Sequence, residues 1–159
     1  MCDCLVCSRI EQIRRGENPY FVEELSTGYV VLGDYQRFPG YTLFLCKEHA
    51  SELHHLDREF RNRFLDEMSL TAEAVYRAFQ PEKLNYELLG KGNAVHMHWH
   101  LFPRKTGDVP GGGPVWRLPS EEMYDEKYRL TTEELENRKR KLRTELHRLM
   151  REAGILNAR

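Results

Sequence analysis

A short segment in which histidines alternate with apolar residues decides the fold. It reads His96-Met97-His98-Trp99-His100-Leu101-Phe102. Side chains of a β-strand point to alternate faces of the sheet, so this pattern predicts a strand with all three imidazoles on one face and apolar side chains on the other. Burial against a core explains the apolar face. The histidine face needs a different explanation.

Three imidazoles on one strand face indicate a functional site. Neighbouring imidazoles repel one another when they are protonated together, so the cluster indicates that an anion or a metal ion binds there. The spacing alone is equally compatible with an active site and with a three-histidine metal site, and a cluster on the surface without function is the third alternative. The residues around the segment have to decide between these alternatives.

Upstream of this segment, apolar periodicity and turn residues predict the other elements of an antiparallel sheet. Residues 19–25 and 28–34 have strand patterns, and the turn-forming residues between them predict a hairpin. Residues 41–46 predict a third strand. Residues 84–90 predict a fourth strand, which precedes the histidine strand at 95–102. A short helix is predicted over residues 7–16.

Two longer helices are predicted to cover this sheet. Asp57 is the candidate N-cap of the first, in which apolar residues recur at helical spacing up to Pro81. The second spans about residues 131–153, with Thr132 as its candidate N-cap and its leucines on one face. Together these elements predict an α+β fold, an antiparallel sheet of about five strands with a long helix packed on it and a C-terminal helix.

Length and charge narrow the possible classes of protein. The 159 residues suit one domain, 1–159, with a core at about 4–108, a loop at 109–130 and the helix at 131–153. The net charge of −1 gives no overall attraction to nucleic acid or membrane, so we expect neither as a partner. No run approaches the ~20 apolar residues of a membrane span, and no signal peptide is visible. We therefore expect a soluble, cytoplasmic protein.

The histidine segment and its flanks resemble the histidine triad (HIT) family. The segment matches the motif His-φ-His-φ-His-φ-φ, where φ is apolar, at every position. The following Pro103-Arg104-Lys105-x-Gly107-Asp108 resembles the diadenosine polyphosphate hydrolase branch. Asn85 lies eleven residues before His96, where the family carries an amide, and Gly92-Asn93 resembles the turn that enters the triad strand. The order of the elements is also similar, over roughly residues 4–108.

The resemblance implies a nucleotide hydrolase with a definite mechanism. His98, the middle histidine, attacks the α-phosphorus of a dinucleoside polyphosphate or related nucleotide, and water resolves the covalent nucleotidyl-histidine. A backbone carbonyl that accepts the other ring N–H of His98 would fix its tautomer. The flanking catalytic residues are His96 and His100, and His100 donates to a phosphate oxygen. Residues implied to bind the nucleotide are Asp34, Tyr41, Asn85 and Asn93.

One departure from the family pattern keeps other functions open. Many relatives have a fourth histidine where this chain has Tyr41, and a phenol is a poor proton shuttle at neutral pH. The alternatives are a phosphorolytic nucleotidyltransferase of the same superfamily and a nucleotide-binding regulatory module with little turnover. The resemblance also implies a homodimer.

The cysteines predict a metal site beside the histidines. Cys4 and Cys7 form a Cys-x-x-Cys pair, a spacing that indicates metal binding or redox chemistry in a cytoplasmic protein. It resembles the zinc-bearing branch of the family, in which His49 and His96 would complete the set. Two thiolates and two imidazoles make a closed, structural zinc site. Two unpaired thiols on an N-terminal tail are the alternative, and Cys2 is a spare thiol that could compete.

Overall fold

The structure, a computed structural model, describes residues 3–156, so Cys2 lies outside the described residues. It has the predicted α+β fold, with a five-stranded antiparallel sheet and four α-helices in the described part of the chain. The helices are α1 (Leu5–Arg14), α2 (Arg58–Phe79), α3 (Ser120–Met123) and α4 (Thr132–Glu152). The strands are β1 (Phe21–Glu24), β2 (Gly28–Leu32), β3 (Thr42–Cys46), β4 (Lys83–Glu87) and β5 (His98–Arg104).

The sheet places the histidine strand inside it rather than at an edge. The strand order is β1-β2-β3-β5-β4, and every neighbouring pair is antiparallel. In the register between β3 and β5, Leu43 lies opposite His100 and Leu45 lies opposite His98. Because directly paired residues share a face, these leucines form the floor beside the two histidines. Strand pairing therefore fixes the backbone of His100 on both sides, by β3 and β4, and that of His98 on the β3 side.

The two long helices cover the apolar face of the sheet. Asp57 caps α2 as predicted, since its carboxylate accepts the backbone N–H groups of Glu59 and Phe60. Helix α4 packs against α2 and β1, and its leucines at 135, 142, 146 and 149 are buried as predicted. The predicted cap of α4 was wrong by one residue. Thr131, not Thr132, is the N-cap and forms a capping box with Glu134.

A buried carboxylate ties α2 to the first hairpin. Glu67 accepts the backbone N–H groups and the hydroxyl groups of both Ser26 and Thr27. These bonds satisfy a charge that would otherwise be costly to bury, since Glu67 is only 6% exposed. The turn between β1 and β2 is therefore held by a residue forty positions later in the chain.

The histidine strand differs from its prediction at both ends. It was predicted over 95–102, whereas β5 runs His98–Arg104 and includes Pro103. A 3-10 turn at Gly92–Ala94 precedes it, and His96 lies between the turn and the strand. The backbone of Met97 accepts from Cys46, the last residue of β3, and donates to the carbonyl oxygen of Ala50 beyond that strand.

Residues 109–130, predicted as a loop, contain regular structure and a small core. Helix α3 lies within this range, and two short 3-10 turns flank it. The buried apolar residues of this range are Val109, Val115, Leu118 and Met123. They pack near the ends of β3 and β5, in one cluster with Phe38, Tyr41 and Phe102. Isolated apolar residues without helical or strand periodicity gave no signal of this packing. Among the described residues, no helix combines the length and the apolar character that crossing a membrane requires.

Candidate active site and metal cluster

The histidine face of the sheet and α1 enclose a cavity of about 320 Å³. Its walls are mostly apolar, and the histidine strand contributes His98. Residues from α1, the strand ends and the C-terminal segment line it; they include Leu5, Val6, Arg9, Val31, Asp34, Tyr35, Tyr41, Leu43, Leu45 and Tyr124. A largely apolar cavity of this size with a few polar groups is typical of a site for a small ligand.

A second cavity shares His98 with the first. It measures about 160 Å³ and is lined by Ser51, Glu52, Leu88, Leu89, Gly90, Val95, His96, Met97 and His98. More of its lining is polar than in the first cavity. Among the described residues, His98 alone lines both cavities. A ligand that extends from one cavity into the other would therefore pass this imidazole.

The ring of His98 is held in one tautomer. Its Nδ1 lies 2.6 Å from the carbonyl oxygen of His96, so Nδ1 carries the proton and donates it. Within the described part of the chain, Nε2 has no hydrogen-bond partner, so it keeps its lone pair. Burial lowers the pKa of His98 below its ordinary value of 6.5, which favours the neutral ring. A neutral imidazole with an unshared Nε2 is a competent nucleophile.

His100 stands next to His98 and is hydrogen-bonded on both sides. The ring centroids of the two histidines are 4.7 Å apart. The hydroxyl of Tyr41 lies 2.6 Å from Nδ1 of His100, and the carbonyl oxygen of Leu89 lies 3.4 Å from its Nε2. Burial, with a smaller contribution from His98, lowers the pKa of His100 to about 4. His100 is therefore neutral at pH 7.

Four side chains from three parts of the chain form a metal-binding cluster. The ligand atoms of Cys4, Cys7, His49 and His96 all lie within 4.8 Å of one another. The Cys7 sulfur is 3.1 Å from Nδ1 of His49 and 3.4 Å from Nδ1 of His96. Two thiols and two imidazoles are the donor set that a structural Zn²⁺ prefers, so the cluster can hold a metal ion as predicted.

The other ring nitrogen of His96 supports this arrangement. Nε2 lies 2.8 Å from the carbonyl oxygen of Cys46 and donates to it, which leaves Nδ1 free of a proton for a metal. His96 is only 1% exposed. Since both ring nitrogens are used in this way, the structure gives His96 no contact through which it could act as an acid or a base. Its backbone carbonyl, however, orients His98.

The predicted nucleotide-binding residues separate into two groups. Asp34 and Tyr41 line the larger cavity together with His98. Asn93 is exposed in the 3-10 turn beside Ala94, which also lines that cavity. Asp34 and Tyr41 therefore share a cavity with His98, and Asn93 is the chain neighbour of another residue that lines it; their part in nucleotide binding stays a prediction.

The structure does not bring Asn85 to His98. Asn85 pairs with Phe102 in the register between β4 and β5, and its side-chain oxygen accepts from Arg104 at 2.8 Å. Arg104 also donates to both carboxylate oxygens of Asp108 and to the carbonyl oxygen of Gly113. Both side chains thus hold the loop after β5 in place.

No sequence pattern indicates three further residues that lie near the site. Arg9 lines the larger cavity and forms an ion pair with Asp34. Tyr124 packs edge-on against Tyr35, with ring centroids 5.6 Å apart, and both residues line the cavity. Glu87 lies opposite His100, burial raises its pKa, and its Oε2 has no hydrogen-bond partner within residues 3–156. Only the long-range contacts of the fold identify them.

Comparison with known proteins supports one family. The family model described as HIT domain matches residues 21–107, which is more than half of the chain. A search of curated proteins finds no match.

Several solved structures have the same fold. A hypothetical histidine triad nucleotide-binding protein from Sulfolobus tokodaii aligns with a TM-score of 0.71 at 21% identity, covering 96% of this chain and 100% of that chain. A histidine triad protein from Marinobacter aquaeolei gives a TM-score of 0.68 at 26% identity, covering 81% and 89%. A zinc-bound histidine triad family protein from Mycobacterium smegmatis gives 0.60 at 20% identity, covering 92% and 94%.

Proposed function

The chain belongs to the HIT domain family, and on that premise we propose that it hydrolyses a dinucleoside polyphosphate or a related nucleotide at an α-phosphorus, with His98 as the nucleophile. The observation that carries the proposal is the hydrogen bond of 2.6 Å from Nδ1 of His98 to the carbonyl oxygen of His96. It leaves the lone pair of Nε2 unshared on a residue that lines both cavities. The S. tokodaii relative, described as nucleotide-binding, is consistent with such a ligand.

The chemistry proceeds in two displacements at phosphorus. In the first, the Nε2 lone pair of His98 forms an N–P bond, the P–O bond to the leaving group breaks, and its electron pair departs with that oxygen. In the second, a water oxygen forms a P–O bond and the N–P bond breaks, returning the pair to Nε2. One proton of that water stays on the product phosphate and the other passes to solvent. His98 then regains its starting state.

The larger cavity suits the nucleoside part of the substrate. Its volume of about 320 Å³ and its apolar walls fit a base and a ribose. Asp34 offers a carboxylate for ribose hydroxyl groups, and it is held by Arg9. The smaller, more polar cavity beyond His98 would receive the polyphosphate leaving group, which gives the two cavities separate roles.

The metal cluster has a structural part in this proposal. Cys4, Cys7, His49 and His96 would hold a Zn²⁺ ion, whose closed set of four ligands leaves no position for substrate. When bound, the ion supplies a cross-link between α1 and the sheet. Because His96 is both a ligand and the acceptor for His98, the ion would also steady the nucleophile.

Product analysis with diadenosine tetraphosphate tests the proposal. The purified protein is incubated with and without inorganic phosphate, and the products are separated by chromatography. We expect AMP and ATP in both cases. His98→Ala should lower kcat/KM by on the order of 10⁴-fold while nucleotide affinity stays within about 3-fold. His54→Ala, an exposed histidine in a 3-10 turn, is the matched control and should be fully active.

Other product patterns would point to the alternatives. Release of ADP only when phosphate is present would identify a phosphorolytic enzyme instead. Nucleotide binding without any product would indicate a binding module. Turnover that survives in His98→Ala would contradict the assignment of the nucleophile.

A further inference from the structure

The residue that sets the chemistry of His100 is Tyr41. The Tyr41 side chain lies immediately before β3, and its hydroxyl oxygen is 2.6 Å from Nδ1 of His100. Its ring stacks on Phe102 with centroids 4.3 Å apart and planes 5° apart, and it packs directly over Gly33, where an added Cβ would come within 2.2 Å of the ring. The phenol therefore has a fixed place and a fixed partner.

The direction of this hydrogen bond follows from the protonation of both groups and from the Leu89 carbonyl beside Nε2, which can only accept. Burial raises the pKa of Tyr41 well above its ordinary value, so the phenol keeps its proton. Burial lowers the pKa of His100 to about 4, so the ring carries one proton at pH 7. The Tyr41 hydroxyl must donate to Nδ1, and the ring proton must sit on Nε2, where the Leu89 carbonyl is the acceptor at 3.4 Å.

We propose that Tyr41 is a positioning residue that locks His100 as an Nε2–H hydrogen-bond donor, and that the site consequently takes substrates whose leaving group departs as a stable anion. This inference rests on the function proposed above and narrows its substrate class. Phosphoanhydrides, whose leaving group is another phosphate, meet the requirement. Phosphoramidates and phosphodiesters of ordinary alcohols do not, since an amine or an alkoxide needs a proton as it leaves.

The surroundings of His100 offer no ready route for that proton. If His100 gave its Nε2 proton to a leaving group, the ring would become an anion unless Nδ1 gained a proton at the same time. Nδ1 already accepts a hydrogen bond from the Tyr41 phenol, which keeps its own proton. Glu87 lies opposite His100 in the sheet but lines neither of the two cavities that His98 lines. His100 can therefore stabilise charge on a phosphate oxygen without transferring a proton.

A series of aryl esters of AMP tests this inference. The first step is followed as single-turnover release of the phenol, for phenols with pKa values from about 7 to about 10. With no proton delivered, we expect release to slow by about 10³-fold across the series. Tyr41→His, which places a titratable ring beside His100, should flatten this dependence. A flat dependence in the wild type, or an equal slope in Tyr41→His, would overturn the proposal.

Nitrogen NMR of the histidine rings provides a test that needs no turnover. In the wild type we expect His100 to show a single tautomer with the proton on Nε2. Tyr41→Phe keeps the stacked ring and removes only the hydroxyl, so we expect a mixture of both tautomers in this variant. A wild-type His100 protonated on Nδ1 would overturn the assignment of Tyr41, even if all esters are cleaved. Failure to cleave any ester with the expected tautomer present would instead count against the proposed hydrolase.

Discussion

The two ends of the histidine segment place the same side chain in contrasting surroundings. At one end, His96 is 1% exposed, its Nδ1 faces two cysteine sulfurs and its Nε2 donates to the Cys46 carbonyl. At the other, His98 uses one nitrogen for a backbone carbonyl and borders two cavities, and His100 bonds to a phenol. Both nitrogens of His96 are used by the protein, whereas His98 keeps one available.

The difference comes from residues far away in the chain. Cys4, 92 residues before His96, approaches its ring because α1 lies across the sheet beside it. Nothing equivalent reaches Nε2 of His98 within the described residues. A histidine becomes structural or reactive according to what the fold places beside each nitrogen. The contrast between His96 and His98 can therefore be tested by separating stability from turnover.

Removing His96 should have the largest effect on stability. We expect His96→Ala to lose one equivalent of bound metal and to lower the free energy of unfolding by on the order of 3 kcal/mol. The variant loses a ligand, leaves a cavity and takes away the donor to the Cys46 carbonyl. Denaturant unfolding and metal analysis measure both effects.

His98→Ala is the matched comparison for His96→Ala. It should keep the metal and remain within about 1 kcal/mol of the wild type, because its ring borders cavities rather than the main core. Equal loss of stability in the two variants would remove the proposed division between a structural and a reactive histidine.

Chelation of the metal should weaken nucleotide binding, and this effect should be smaller than the loss of stability in His96→Ala. Helix α1 contains Cys7, has Cys4 as its N-cap and also presents Leu5, Val6 and Arg9 to the larger cavity. Without the metal this wall loses one of its anchors, so we expect the Kd for AMP to rise about 10-fold, measured by calorimetry. Restoring zinc should restore the affinity. An unchanged Kd would mean that the apolar contacts of Val6 and Ile10 suffice to hold α1.

The smallest expected effect is a dependence of stability on pH. The pKa of His100 is about 4 in the folded chain and ~6.5 in the unfolded chain, so the unfolded state binds more protons between these values. The contribution of His100 is complete above about pH 6.5 and is lost as the pH falls towards 4. Between pH 7 and pH 5.5 we expect the free energy of unfolding of the wild type to fall by about 1 kcal/mol more than that of His100→Gln, measured by denaturant unfolding. Parallel pH curves for the two proteins would contradict the neutral state of His100.

The elements with strong local signals were predictable from the sequence. Asp57 and Pro81 mark the ends of α2, and leucine periodicity marks α4, because capping and amphipathic spacing are encoded within a few residues. The alternation of the histidine segment also predicted which face of the sheet carries the site. The resemblance to the family indicated the four residues that the structure brings together as a metal cluster.

The features that were missed depend on contacts between distant residues. Helix α3 has only four residues, too few for a periodic pattern, and its burial depends on Phe38 and Phe102. The resemblance to the family implied Asn85 as a nucleotide ligand, whereas the fold places its side chain beside Arg104. The hydrogen bond between Tyr41 and His100 spans 59 positions, and no local rule predicts such a distance.

The alternation of faces along β5 has a consequence for changes in chain length. His98 and His100 lie on one face, whereas Leu101 belongs to the main core on the other. A shift of one residue in this strand would turn the histidines into the core and Trp99 into the cavity. An inserted residue between His96 and His100 therefore threatens the site more than many substitutions, while the exposed glycines at 111 and 112 leave room for insertions. Related chains should accordingly vary in length after β5 and keep a constant number of residues between His96 and His100.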